Sequence, residues 1–152
     1  MNLPSSHLEV RPAFRCSVRI PVRFGDMDAL GHVNNAKYLT YFEEARMKYW
    51  TSLFPLDVND VASLGIILAE ATVSFRSPAR AGDVLEVFVR VSHVGNKSFR
   101  MDYRIENAET RRLVAEGSTV QVMYDYKRNV TIPIPEDVRR KIEEFEAVKN
   151  NN

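Results

Sequence analysis

Apolar and polar residues alternate in several stretches of this chain, and in one stretch the apolar residues recur at helical spacing. From Arg15 to Phe24, Cys16, Val18, Ile20, Val22 and Phe24 share one parity, and Arg15, Ser17, Arg19 and Arg23 share the other. That pattern predicts a strand buried on one face. Pro21 has no N–H for a ladder, so the strand is expected at an edge or a bulge. Further alternating runs are Ile66–Phe75 (Ile67, Ala69, Ala71, Val73, Phe75), Val84–His93, Ser98–Glu106 and Leu113–Tyr126. Ala69 and Ala71 are small enough to let a helix approach, and Gly117 suggests a bulge. Ser77–Asp83, Gly95-Asn96 and Asn107–Thr110 supply the turns between these strands.

Between Asn35 and Ser52 the period becomes helical. Lys37, Thr40, Glu44, Lys48 and Thr51 form a narrow polar stripe, with Glu44 and Lys48 in the favourable order. Most of the remainder is apolar, including Tyr38, Tyr41, Phe42, Ala45, Tyr49 and Trp50, which predicts a largely buried helix. Asn34 or Asn35 can cap it, and Pro55 stops it. Phe54–Leu64 reads as a connection with a short helical turn. A short charged helix is expected within Ile132–Ala147, opened by Pro-Glu-Asp.

The order is strand, helix, then four strands in a meander. A buried helix and an antiparallel sheet must cover each other's apolar faces. The expected fold is α+β, a sheet of about five strands wrapped around one long central helix. Its open edges favour pairing with a second subunit. The domain is expected over residues 13–147, with a flexible lead-in over 1–12 and a flexible tail over 148–152.

Composition narrows the function. The chain has 152 residues, 45% hydrophobic and 27% charged, which fits one globular domain with its own core. A net charge of +1 gives no support to nucleic-acid binding. Cys16 is the single cysteine, so an intrachain disulfide and a Cys-rich zinc site are excluded, and a reducing cytoplasm suits the chain. No apolar run approaches the roughly 20 residues of a membrane span, and no secretory signal is evident.

The chemistry concentrates at the junction Phe24–Asn35, where an alternating strand gives way to the helix. Asp26, Asp28, His32, Gly25 and Gly31 lie there. A helix N-terminus presents unpaired N–H groups and a positive dipole end. An acid beside such donors can attack a carbonyl, or activate water to do so, while the donors hold the oxyanion. The junction therefore suits acyl-group chemistry without a metal or cofactor. Asp28 is an acid available as nucleophile or base, though it could also be a turn former. Asp26 reads as a turn residue bonding to nearby N–H groups. His32 could bind substrate, assist thiolate departure or bond to backbone. Gly31 permits a positive φ and close approach of substrate. Glu70 is a lone charge in an apolar strand, facing water or a second subunit. Arg76, Arg80 and Lys97 are cations able to hold phosphates. His7 and His93 lie in other elements, so no metal set is expected.

The blocks Arg23-Phe24-Gly25-Asp26-Met27-Asp28, Gly31-His32-Val33-Asn34-Asn35-Ala36-Lys37-Tyr38 and Tyr41-Phe42-Glu43-Glu44-Ala45-Arg46, with Phe75–Ala79, Gly82-Asp83 and Gly95–Phe99, carry a family resemblance. Over roughly Arg15–Tyr126 the chain resembles hotdog-fold acyl-CoA thioesterases, in the 4-hydroxybenzoyl-CoA thioesterase branch. The resemblance implies that Asp28 is the catalytic acid, as nucleophile or general base, and that the main-chain amide at Asn35 polarises the thioester carbonyl. It places CoA contacts at Ser77 and at Asn96-Lys97-Ser98. It implies a homodimer or homotetramer with its site at the subunit interface, where Glu70 could contribute. His32 matches the histidine of plant acyl-carrier-protein thioesterases, whereas Leu30 stands where those carry asparagine. An acyl-carrier-protein donor, 3-hydroxyacyl-thioester dehydratase or hydratase chemistry, and non-catalytic thioester binding are the alternatives.

Overall fold

The computed structural model describes residues 14–56 and 61–150. Strand β1 (Cys16–Pro21) buries Cys16 and Ile20, and Val22 is buried just beyond it. Phe24 does not continue the row as its parity predicts. The chain breaks into a 3-10 turn at Phe24–Asp26, and Phe24 is 82% exposed. Cys16 packs in the core, and burial pushes its thiol up to about 11, which makes it an inert filler.

The central helix runs Lys37–Leu53 and buries Tyr38, Tyr41, Phe42, Ala45, Arg46, Tyr49, Trp50 and Leu53. These recur every three or four residues, one face of the helix. Arg46 is a cation inside that apolar face. Its guanidinium donates to the Tyr103 hydroxyl at 3.2 Å and lies 3.9 Å from Glu43. Ala36 occupies the cap position and offers no side-chain bond. Asn34 supplies the acceptors instead, through Oδ1 to the Ala36 N–H at 3.0 Å and through its carbonyl to the Lys37 N–H at 2.8 Å.

After a 3-10 turn at Val61–Leu64 come β2 (Ile66–Phe75), β3 (Val84–Val94), β4 (Ser98–Asn107), β5 (Leu113–Asp125), a short β6 (Val130–Thr131) and a C-terminal helix, Glu136–Asn150. Among the described residues they form a six-stranded antiparallel sheet in the order β1-β3-β4-β5-β2, with β6 on β5. The fold is α+β, as expected, but the meander covers only β3, β4 and β5. β1 takes the place beside β3 that a meander would give β2, so β2 lies on the opposite edge against β5.

Gly117 is not a bulge. The ladder runs through it unbroken, with Val73 on one side and Tyr103 on the other. Irregularities fall instead at Leu68/Glu70, Val91/His93 and Ile105/Glu106. The first removes Ala69 from the expected row, so Leu68, Ala71, Val73 and Phe75 share the face of Gln121, Thr119, Gly117 and Ala115. Ala69 and Ala71 are exposed, and the helix makes its close approach at Gly117.

Sheet and helix meet through Leu85, Val87, Val89, Met101 and Ile105, all fully buried. Phe42 stacks on Tyr103 at 4.3 Å, and Trp50 meets Phe99 edge-on at 5.4 Å. The C-terminal helix is tied in by Glu146, which accepts from the Tyr49 hydroxyl at 2.9 Å and the Val91 N–H at 2.8 Å. Among the described residues no helix is long and apolar enough to cross a membrane.

Candidate active site

Residues 26–34, between β1 and the central helix, fold back on themselves as a small hairpin. The Asn34 N–H donates to the Asp26 carbonyl at 2.9 Å, and the Asp28 N–H donates to the His32 carbonyl at 2.9 Å. Met27 and Val33 pair between them. The tip closes with the Gly31 N–H on the Asp28 carbonyl at 3.1 Å, and Gly31 adopts a φ of +81°, as its sequence position suggests. Asp28 is therefore held at the base of a tight turn. Its Oδ1 accepts the Leu30 N–H at 2.9 Å, its side chain is exposed, and its second oxygen has no hydrogen-bond partner among the described residues.

The hairpin leads directly into the helix entrance. The main-chain N–H groups of Ala36, Lys37 and Tyr38 are taken by Asn34 and Asn35. The N–H of Asn35 has no partner among the described residues. It stands just before the N-terminal end of a helix of 17 residues, where the helix dipole is positive.

At the helix entrance lies a cleft of about 260 Å³ lined by His32, Val33, Asn35, Tyr38, Phe75, Arg76, Ser77 and Pro78. One wall comes from the hairpin and helix entrance, the other from the end of β2. They are fastened by the Val33 N–H on the Ala79 carbonyl at 2.9 Å and by Tyr38 edge-on to Phe75 at 5.2 Å. Of the residues singled out from sequence, His32, Asn35 and Ser77 share this cleft, and Asp28 and Gly31 sit on the adjoining turn. Ser77 Oγ donates to the Leu113 carbonyl at 2.6 Å, and Arg76 pairs with Glu116 at 3.3 Å.

The other candidates lie elsewhere in the chain. Glu70 is exposed at mid-strand and shares the face of Thr72 and Ser74, opposite to that of Phe75. Asn96-Lys97-Ser98 forms the β3–β4 turn at the far end of the sheet, about 30 Å away along strands of ten residues. Lys97 Nζ there donates to Thr131 Oγ1 at 3.3 Å.

Sequence reasoning undervalued two features. Asp26, read as a turn former, is only 4% exposed. Burial pushes its carboxyl up, but the Arg23 N–H, the Tyr41 hydroxyl and the Arg23 and Lys37 charges together hold it below the usual value. Pro78 and the aromatic pair Tyr38–Phe75 complete the cleft walls, and nothing local in the chain announces that they meet.

The architecture, an antiparallel sheet packed on one long helix, is of the hotdog type. Residues 22–142 match the model of the thioesterase-like superfamily. The chain belongs to that family, whose chemistry is thioester hydrolysis. It is 31% identical to the acyl-acyl carrier protein thioesterase ATL3 of Arabidopsis thaliana chloroplasts, over 84% of this chain and 67% of that one. It is 28% identical to the 1,4-dihydroxy-2-naphthoyl-CoA hydrolase of Synechococcus elongatus, over 76% and 85% respectively. Among solved structures it resembles a Thermus thermophilus thioesterase complexed with coenzyme A and zinc, with a TM-score of 0.79 and 33% identity. That match covers 89% of this chain and 96% of the other.

Proposed function

We propose that the protein is a homodimeric acyl-CoA thioesterase in which Asp28 serves as nucleophile or general base and the Asn35 amide stabilises the oxyanion. The observation that carries this reading is the Asn35 N–H, without a partner among the described residues, on a residue that lines the cleft adjoining the Asp28 turn. The thioester carbonyl oxygen accepts from that amide, and negative charge growing on it is favoured by the helix dipole. Asp28 either bonds to the carbonyl carbon or removes a proton from the water that does. Collapse of the tetrahedral intermediate breaks the C–S bond, and the CoA thiolate leaves to be protonated; on the nucleophilic route this leaves a mixed anhydride on Asp28, which water hydrolyses to the free acid and the regenerated carboxylate. His32, which lines the same cleft, is the proposed donor of that proton.

A second subunit belongs in this reading. β2 is ten residues long and apolar on one face, and it is an edge strand with most of its residues exposed. Such an edge invites a strand from another copy. Phe24, Leu30, Leu39, Leu68 and Phe75 are exposed large apolar side chains that a partner would cover. Antiparallel β2–β2 pairing about a twofold axis turns the second sheet end for end. The second copy's Asn96-Lys97-Ser98 turn then lies at the same end as the first copy's Asp28, where CoA phosphates could meet Lys97. The cover also excludes water from an otherwise open acid, which strengthens its electrostatics.

The test is thiol release from a panel of short, long and aromatic acyl-CoA esters, with the Asp28→Asn variant alongside. Release by the wild type and not by the variant is expected. Equal release by both removes Asp28 from the mechanism.

A further inference from the structure

We infer that Asp26 and Tyr41 form a positioning clamp that sets the Asp28-bearing turn against the helix entrance. The inference rests on the roles given above to Asp28 and Asn35. It concerns how those two groups, which lie on separate structural pieces, are held in one geometry.

From Arg23 to Ala36 only two side chains are buried, Asp26 and Val33. Each anchors one arm of the hairpin. Val33 does so by apolar burial and its bond to Ala79. Asp26 does so as an ion, which is costly to bury unless it is fully partnered. Its Oδ2 accepts the Arg23 N–H at 3.1 Å and the Tyr41 hydroxyl at 2.9 Å, and its Oδ1 lies 3.9 Å from Lys37 Nζ. Tyr41 and Lys37 are both on the central helix, one turn apart. The carboxylate thus fastens the first arm of the hairpin to the first two turns of the helix. Through its main chain the same residue accepts from Asn34, the immediate neighbour of Asn35.

The chemistry of Tyr41 supports the same role. Its side chain is 2% exposed. A phenylalanine would fill the same space without taking a hydroxyl out of water. The hydroxyl donates to a carboxylate held ionised, so the bond is charge-assisted and strong. Asp28 lies two residues beyond Asp26, about 7 Å along extended chain. A shift at Asp26 would reach Asp28 almost undiminished, and the tip beyond it, Ala29 to Gly31, is wholly exposed and offers no second anchor. Misplacement of a reacting group by about 1 Å can cost 100-fold in rate.

The same helix contains a built-in control. Tyr49 is also buried and also donates its hydroxyl to a buried carboxylate, Glu146, at 2.9 Å, but at the opposite end of the helix. Tyr41→Phe and Tyr49→Phe remove the same group from the same kind of bond. A merely structural bond at Tyr41 would make the two variants behave alike.

The experiment compares full-length wild type, Tyr41→Phe, Tyr49→Phe, Asp26→Asn and Asp28→Asn in steady-state hydrolysis of the best acyl-CoA found, well below every melting temperature. Amide hydrogen exchange is followed on the same samples. Tyr41→Phe should lower kcat about tenfold with KM within about twofold, while Tyr49→Phe keeps kcat within about twofold of wild type. Exchange at the Asp28 and Asn34 amides should speed up about tenfold in Tyr41→Phe and stay unchanged in Tyr49→Phe. Asp26→Asn keeps an acceptor oxygen and should fall between wild type and Tyr41→Phe in both readouts. Equal kcat for the two tyrosine variants, or unchanged exchange at Asp28 and Asn34, overturns the clamp. Exchange reads it even if Asp28→Asn proves active or the wild type releases no thiol, outcomes that count against the catalytic reading alone. If Tyr41→Phe does not fold, Asp26→Asn decides, and wild-type kcat together with wild-type exchange in that variant overturns the clamp.

Discussion

The ring of Phe42 on the central helix lies directly over Gly117 of β5, so close that an added β-carbon would stand 2.6 Å from Phe42 Cε2 and would also collide with the Thr72 carbonyl. Gly117 lets the helix settle onto the sheet at the level of Tyr103, on which Phe42 stacks. Gly117→Ala forces either the ring or the strand to move. It should destabilise the protein by about 1–3 kcal/mol, measured as a drop in the denaturant midpoint at unchanged slope. A variant as stable as wild type would falsify the close-contact account.

Deleting the Asn35 amide tests the oxyanion donor without altering any charge. Asn35→Pro removes that N–H and nothing else from the main chain's donor set. Turnover should fall about 100- to 1,000-fold, the usual cost of one oxyanion donor. Circular dichroism and melting temperature check that the helix is intact. Retained turnover would move the donor elsewhere.

Acid titration tests the environment of Asp26. Its carboxyl is surrounded by Arg23, Lys37, Tyr41 and, across a small cavity, Glu44. Its folded pKa lies below the usual value of about 3.9, so it contributes stability that is present above that value and is lost as pH falls through the folded one. Asp26→Asn lacks this contribution. The melting-temperature gap between wild type and variant should be constant above about pH 5 and shrink below about pH 4. A gap independent of pH down to about 2.5 would show that the carboxyl is not depressed.

Glu146 holds the C-terminal helix against β3 and the central helix. Glu146→Ala leaves the Tyr49 hydroxyl and the Val91 N–H without their acceptor in a buried place. The expected cost is about 1–3 kcal/mol, with faster hydrogen exchange at Val91 than at the neighbouring ladder amides.

The β2 edge can be tested by charge. Leu68→Lys places a cation in an exposed apolar row without touching the Asp28 turn or the core. Sedimentation should show a shift from dimer towards monomer, and activity should fall with the dimer fraction. Unchanged mass would place the partner on another surface.

The parts of this molecule that could be read from sequence are those governed by neighbours in the chain. The bounds of the strand Ile66–Phe75 and the start of Val84–Val94 emerge from alternation, but the irregularity at Leu68/Glu70, which parity does not show, takes Ala69 out of its row. Asp28, Gly31 and Asn35 could be singled out as candidates because the blocks that carry the family resemblance fall on a consecutive strand end, turn and helix start. What sequence reasoning missed depends on contacts between distant residues. β2 sits beside β5 because β1 had already taken the edge of β3, and parity says nothing about which edge is free. The exposure of Phe24 follows from a turn that interrupts its strand. Arg46 is buried because Tyr103, 57 residues away, receives its guanidinium. Asp26 looked like a simple turn residue until Tyr41 supplied the hydroxyl that makes its burial tolerable.

Because the group proposed to stabilise the oxyanion is a main-chain amide, it is nearly invisible to mutation. Nineteen of the genetically coded residues present the same N–H, and only proline withholds it. The cleft walls are different, since Tyr38, Phe75 and Pro78 act through their side chains. A lineage can therefore reshape the acyl site by ordinary substitution while the electrostatic part of the chemistry is copied intact with the helix. On the proposed reading, relatives of low identity keep the same amide while their cleft walls diverge.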